Sequence, residues 1–238
     1  MREPRGLLIT GTDTGVGKTV VTCGLAGALR RRGLSVAPFK PAETGCDLAE
    51  GTNRLVPADA ELLRRACATE APLDTICPYR FRPPLAPWVA AGQAGVAIEP
   101  ERLERCYREL GAWSDVVLAE TAGGILVPLR EDFHYADLAL LLHLPVLVVV
   151  GSKLGAINHA RLTLEFLRAA GIRTVACVLN HPFEETNEAT ETNETTLRRL
   201  ASVPLFVVPH RADSAPAWDD PVFDPLAIHV EKYLGNAV

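Results

Sequence analysis

The sequence predicts an α/β fold, a doubly wound and mostly parallel sheet with helices on both faces. Short apolar runs rich in β-branched residues alternate with helical patterns along most of the 238 residues, which is the rhythm of strand–helix–strand units. The runs do not alternate apolar with polar positions, so both faces of each strand are expected to be covered, as in a parallel sheet. A hydrophobic fraction of 48% against 22% charged residues supplies a sizeable core and excludes a disordered chain. With roughly 150 residues per domain as a guide, residues 1–238 are read as a single domain.

In chain order, Leu7-Leu8-Ile9-Thr10 reads as a buried strand stopped by Gly11. From Lys18 to Arg32 the pattern is helical. Val21, Leu25, Ala28 and Leu29 share a face, and Arg30-Arg31-Arg32-Gly33 gives a basic last turn and a glycine stop. Ser35 to Lys40 forms the second strand, closed by Pro41. A helix through Leu62, Leu63 and Ala66 opens at Asp59, a candidate N-cap. Asp115 to Glu120 is a third strand, ending on a carboxylate before Ala122-Gly123-Gly124. Val146–Val150 (strand), Ile157–Ala170 (helix), Thr174–Leu179 (strand), Thr195–Ala201 (helix), Leu205–Val208 (strand) and a packed helix over Phe223–Leu234 complete the series. Pro72 to Pro87, with its prolines, reads as an extended excursion, and Glu184 to Thr196 as too polar for core. Right-handed crossovers put the C-terminal strand ends on one edge, where such sheets bind ligands. That edge is expected to gather residues 11–19, 40–45, 120–124, 151–158, 180–182 and 209–211.

Composition excludes several functions. A net charge of -5 argues against a protein whose task is to coat nucleic acid. The most apolar run, Leu138 to Val150, has 13 residues and contains His143 and Pro145, whereas a membrane-spanning helix needs about 20. Gly6 and Gly11 bracket too short an apolar stretch for a secretory signal. The six cysteines form no Cys-x-x-Cys pair and the six histidines no metal-ligand spacing, so reduced thiols in a cytoplasmic protein are expected. No Ser-His-Asp or Cys-His arrangement can be assembled locally, so a protein nucleophile is not indicated.

The chemistry concentrates in Gly11-Thr12-Asp13-Thr14-Gly15-Val16-Gly17-Lys18-Thr19, directly after a strand and opening a helix. Phosphates need backbone N–H groups unobstructed by side chains, a positive helix terminus, a lysine for the outer phosphates and a hydroxyl for Mg²⁺. Gly15, Gly17, Lys18 and Thr19 fit those needs. Gly11 stands six residues before Gly17, not five, so this is a variant P-loop and the fold is P-loop NTPase-like. Glu120, at the end of a hydrophobic strand, stands where such proteins hold Mg²⁺ or its water. Lys40 ends a neighbouring strand, so its ammonium is expected to enter the crevice of Lys18 and steady a transferred phosphoryl group. Asn180 offers an amide suited to a purine edge.

Taken together, these stretches resemble the dethiobiotin synthetase family. The resemblance is carried by the variant loop, Lys40-Pro41 with Thr44-Gly45, Glu120 with Ala122-Gly123-Gly124, Lys153-Leu154-Gly155-Ala156-Ile157-Asn158-His159-Ala160, and Asn180. The family's usual Glu-Gly-Ala-Gly-Gly is Glu120-Thr121-Ala122-Gly123-Gly124 here, and its usual serine after Lys-Pro is Thr44. The resemblance implies an ATP- and Mg²⁺-dependent ligase of biotin synthesis. One amine of 7,8-diaminononanoate adds to CO₂, ATP phosphorylates the carbamate, and the second amine closes the ureido ring and expels phosphate. It further implies Lys40 as the catalytic residue and Thr19, Asp59 and Glu120 as Mg²⁺ ligands. Nucleotide contacts would come from Gly15, Val16, Gly17, Lys18, Thr19 and Val20, from Glu120, Thr121, Ala122 and Gly123, and from Asn180, His181, Pro209, His210 and Arg211. Thr14, Thr44 and Asn158 would contact substrate, Asn158 across a homodimer. No nucleic acid or membrane partner is expected. The alternative is a partition-type ATPase switch, which shares only the first loop and the fold.

Overall fold

The computed structural model describes residues 5–184, 187–211 and 216–235. Strand β1 (Gly6–Gly11) leads through the glycine-rich loop into helix α1 (Lys18–Arg31), followed by β2 (Val36–Phe39). Short strands β3 (Ala42–Thr44), β4 (Asp47–Leu48) and β5 (Leu55–Val56) precede helices α2 (Ala58–Cys67) and α3 (Leu73–Ile76). Strand β6 (Tyr79–Phe81), helices α4 (Pro87–Gln93) and α5 (Pro100–Ala112), and strand β7 (Val116–Gly124) come next. Then follow β8 (Pro128–Arg130), β9 (Phe133–His134), α6 (Tyr135–Leu141), β10 (Val146–Gly151), α7 (Ala156–Ala169) and β11 (Thr174–Asn180). Helix α8 (Glu188–Leu200), β12 (Leu205–Val208) and α9 (Asp224–Gly235) close the chain.

Six strands pair in parallel in the order β12-β11-β10-β1-β7-β2. From β1 the chain goes to the edge strand β2, returns to β7 beside β1, and then crosses to build outward through β10, β11 and β12 on the other side. The reversal flanks β1, so the loop after β1 lies at the crevice where open α/β sheets take ligands. Both faces are covered, as the unbroken apolar runs predict. Leu7 and Ile9 join Leu118 and Val149 beneath α1 and α9, while Leu8 faces the opposite way with Val117 and Val148 beneath α5 and α7. No helix among the described residues is long and apolar enough to cross a membrane.

Helix α1 is approached closely by the chain's last segment. A Cβ at Gly27 would lie 1.9 Å from the Trp218 carbonyl oxygen, and one at Gly24 would lie 2.2 Å from the Phe223 ring. Only glycine permits that distance without displacing backbone.

Three expectations need correction. Pro72–Pro87 is not merely extended: it contains α3 and β6, the latter pairing in parallel with β3 through Glu43↔Arg80. Residues 188–200 form α8, earlier and longer than the helix expected from Thr195, and its inner face buries Thr190 and Asn193 beside Leu197. Polar side chains are accommodated there because they are hydrogen-bonded. Asp59 is not the cap of α2; Pro57 takes that position, and Asp59 lies one residue inside the helix.

Candidate active site

The loop after β1 turns through two left-handed glycines, Gly15 (φ 69°) and Gly17 (φ 88°), with Gly17 capping α1. At Gly17 a Cβ would sit 2.2 Å from the Asn180 amide nitrogen, so contact and backbone conformation both demand glycine. The Asn180 amide donates to the Val16 carbonyl at 2.9 Å. Asn180 therefore braces the loop, one N–H of its amide committed to protein. Lys18 Nζ donates to the Asp13 carbonyl at 3.2 Å, and the Asp13 carboxylate accepts from Lys153 Nζ at 2.7 Å.

Behind the loop lies a charged cluster in which Lys40 and Glu120 are buried and Asp59 is half-exposed. Strand β7 runs beside β1 in register Ile9↔Glu120, which carries Glu120 to the base of α1. Glu120 is fully buried. Its Oε1 accepts from Thr19 Oγ1 at 3.0 Å and from Lys40 Nζ at 2.6 Å, and its Oε2 accepts from Thr22 Oγ1 at 2.6 Å. Lys40 Nζ also donates to Asp59 Oδ2 at 2.9 Å. Burial works against the Lys40 charge, but Glu120 and Asp59 outweigh it and push the ammonium's pKa up. Burial and the nearby Lys40 charge pull Lys18 down. At Asp59 burial is overcome by the Lys40 charge, which holds the carboxyl below its ordinary value. Glu43 is buried too, and burial raises its carboxyl despite the opposing pull of Lys40 and two backbone amides.

Two clefts open beside the loop, the first of them over this cluster. One of about 380 Å³ is lined by Thr14, Gly15, Gly17, Lys18, Thr19, Val20, Lys40, Glu43, Thr44, Asp59, Thr121, Ala122 and Gly123. The two lysines thus share one crevice, as their strand and loop positions predict. The second, about 560 Å³, is lined by Gly17, Val20, Asn180, His181, Pro209, His210 and Arg211, together with Cys23, Leu62 and Trp218. Val16 stays beneath the loop, its side chain close to Gly11 and Gly151. Asn158 is not brought to either cleft; it lines a separate groove of about 540 Å³ with Arg161, Leu162 and Glu165. The Thr121 hydroxyl turns inward and donates to the Gly123 carbonyl at 2.7 Å, bracing the glycine turn from below.

No three His, Cys, Asp or Glu side chains gather as a metal site among the described residues. The oxygens of Thr19, Asp59 and Glu120 are hard donors of the kind Mg²⁺ takes, with those of Glu120 accepting here from Thr19, Thr22 and Lys40.

The AAA domain family matches residues 5–209. An ATP-dependent dethiobiotin synthetase BioD from Anaeromyxobacter sp. (strain Fw109-5) is 45% identical over 212 residues, 89% of this chain and 92% of its own length. The chain belongs to the dethiobiotin synthetase family. A second family member, from Pseudomonas aeruginosa (strain UCBPP-PA14), is 39% identical over 88% of this chain and 91% of its own. Among solved structures, the septum site-determining protein MinD complexed with Mg-ADP from Pyrococcus horikoshii OT3 superposes with a TM-score of 0.59. It covers 97% of this chain and 95% of its own at 18% identity, a likeness of fold alone.

For this family member, Thr22, Glu43, Cys23, Leu62 and Trp218 join the site without having been singled out from sequence. Thr22 stands three residues after Thr19, on the same helical face, which is a signal that sequence carries. Glu43 left a subtler one: α2 begins after Pro57, which has no side-chain oxygen to cap it, so the cap comes from another segment.

Proposed function

We propose that this protein is an ATP-dependent dethiobiotin synthetase, joining CO₂ to 7,8-diaminononanoate and closing the ureido ring. The observation that carries the proposal is the convergence of Lys18 and Lys40 on one cleft beside the variant loop, in a chain 45% identical to a synthetase of that name.

The residues suit the chemistry. One substrate amine forms a C–N bond to CO₂ and loses a proton, giving a carbamate. A carbamate oxygen attacks the γ-phosphorus, and ADP leaves. The second amine then attacks the carbonyl carbon, expelling phosphate and releasing its proton. The diamine is the nucleophile throughout, so the protein's work is to hold, orient and balance charge. We assign Lys18 and the loop amides, with Gly15, Val16, Gly17 and Val20, to the phosphates. Lys40 is assigned to the carbamate and the migrating phosphoryl group, its charge sustained by Glu120 and Asp59. Thr19, Asp59 and Glu120 would hold Mg²⁺, which would supply charge neutralisation to the phosphates. Thr121, Ala122 and Gly123 would border the phosphates, with Thr14 and Thr44 contacting the diamine. The cleft of His181, Pro209, His210 and Arg211 is assigned to the nucleoside, with Asn180 bracing its entrance. The same proposal takes residues 1–238 as one nucleotide-binding domain, working as a cytoplasmic homodimer on small molecules, with Asn158 receiving a partner-bound substrate tail.

Phosphate release from ATP tests the proposal. It should require both bicarbonate and the diamine, with dethiobiotin appearing by mass spectrometry in equal amount. Release indifferent to the diamine would sink it and favour a nucleotide switch.

A further inference from the structure

Glu43 has no part in the assignments above, yet it is a buried carboxylate lining the phosphate cleft. Its two oxygens accept from consecutive amides at the start of α2: Asp59 N at 2.9 Å and Ala60 N at 3.0 Å. Those amides belong to the first turn, whose N–H groups have no partner within the helix. The preceding residue, Pro57, has no side-chain oxygen to offer. A carboxylate from another segment therefore does the capping, which leaves the Asp59 side chain free to reach Lys40. Glu43 itself is fixed, because it sits in β3 and pairs with β6 through Glu43↔Arg80. The same short strand begins two residues after Lys40 and ends at Thr44. One side chain thus links the segment carrying Lys40 and Thr44 to the helix carrying Asp59.

We propose that Glu43 is a positioning residue, setting the depth of α2 in the cleft so that Asp59 meets Lys40 and the Mg²⁺ site. This rests on the Mg–ATP reading of that site. The ion-pair chain Asp59–Lys40–Glu120 runs from α2 through the turn between β2 and β3 to β7, and Glu43 gives α2 a second tie to the lysine's segment, this one through the backbone of its first turn. Removing it lets the first turn fray and Asp59 drift, while the glycine-rich loop and Lys18 stay in place.

The test compares Glu43→Ala and Glu43→Gln with the natural protein by calorimetry of ATP binding in EDTA and in Mg²⁺, by amide hydrogen exchange and by turnover. Glu43→Ala should bind ATP in EDTA within about twofold of the natural protein, yet lose most of the affinity gained with Mg²⁺. Its kcat should fall about tenfold or more, as expected when a reacting group shifts by an ångström or less. Amides of Asp59 and Ala60 should exchange faster. Glu43→Gln, which keeps one acceptor oxygen, should fall between the two, and it carries the test if the alanine variant does not fold. In an Asp59→Asn background, Glu43→Ala should add little, because both changes break one link. An intact Mg²⁺-dependent gain in either folded variant, or full additivity with Asp59→Asn, overturns the proposal. Absence of any Mg²⁺-dependent gain in the natural protein would instead overturn the Mg–ATP reading.

Discussion

Lys40 is buried to 3% exposure and Glu120 to 0%, so each charge depends on the other. Pairs of this kind contribute little against a well-packed apolar substitute, but breaking one by removing a single partner costs about 3–5 kcal/mol. Lys40→Met should therefore lower the urea midpoint markedly and abolish diamine-dependent phosphate release. Adding Glu120→Gln should recover much of the stability and none of the turnover, because the uncompensated charge is gone while the ammonium is still missing. A single variant as stable as the natural protein would contradict this account. Both residues were legible from sequence because each closes an apolar run: Lys40 directly follows β2, while β7 continues past Glu120 to Gly124, four residues beyond the end expected from sequence. Thr22 and Glu43 were harder to see, since their partners Glu120 and Asp59 are set by packing between elements. Asn180 shows the reverse case: its place at the edge was evident, while its bond to the Val16 carbonyl depends on how close β11 brings it to the loop.

Helix α8 shows why the start of an element can be silent in sequence, since the pattern marks a helix only from Thr195 while the helix begins at Glu188. Its sequence is rich in Glu, Thr and Asn, and the buried positions Thr190, Asn193 and Leu197 include one apolar side chain. Apolar periodicity is therefore nearly silent there, although the positions obey helical spacing. Two polar anchors replace it. Asn187 caps the first turn, accepting from Ala189 N and Thr190 N. Asn193 donates to Ser152 Oγ at 3.2 Å and to the Lys153 carbonyl at 3.1 Å. Asn187→Ala should cost about 1 kcal/mol and leave the loop after β10 untouched. Asn193→Ala should cost about 1–3 kcal/mol and also speed amide exchange through residues 151–155. Equal exchange there in both variants would show that Asn193 does not steady the loop. The six sheet strands, by contrast, were visible in the sequence to within a few residues, because covered parallel strands need continuous apolar runs.

Across the molecule, the two-sided core shelters nearly every thiol. All six cysteines are free and five are buried, with Cys106 half-buried. Burial pushes Cys46 up to about 11 and Cys177 up to about 12, and raises Cys23, Cys67 and Cys77 as well. Because the thiolate is the reactive form, raised values mean slower labelling at pH 8. Cys106 should react first with a disulfide reagent, and the others only as fast as the protein unfolds in denaturant. Rapid modification of Cys23 or Cys77 without denaturant would contradict the core described. Strand order was not legible in the same way, since β1 pairs with β7 and β10, both distant in sequence. The approach of Trp218 and Phe223 to Gly27 and Gly24 has a temporal consequence. The glycine-rich loop is translated well before Pro209, His210, Arg211 and Trp218, which form one wall of the larger cleft. A nascent chain therefore has its glycine-rich loop long before it has that wall, and the larger cleft takes shape only once Trp218 has been added.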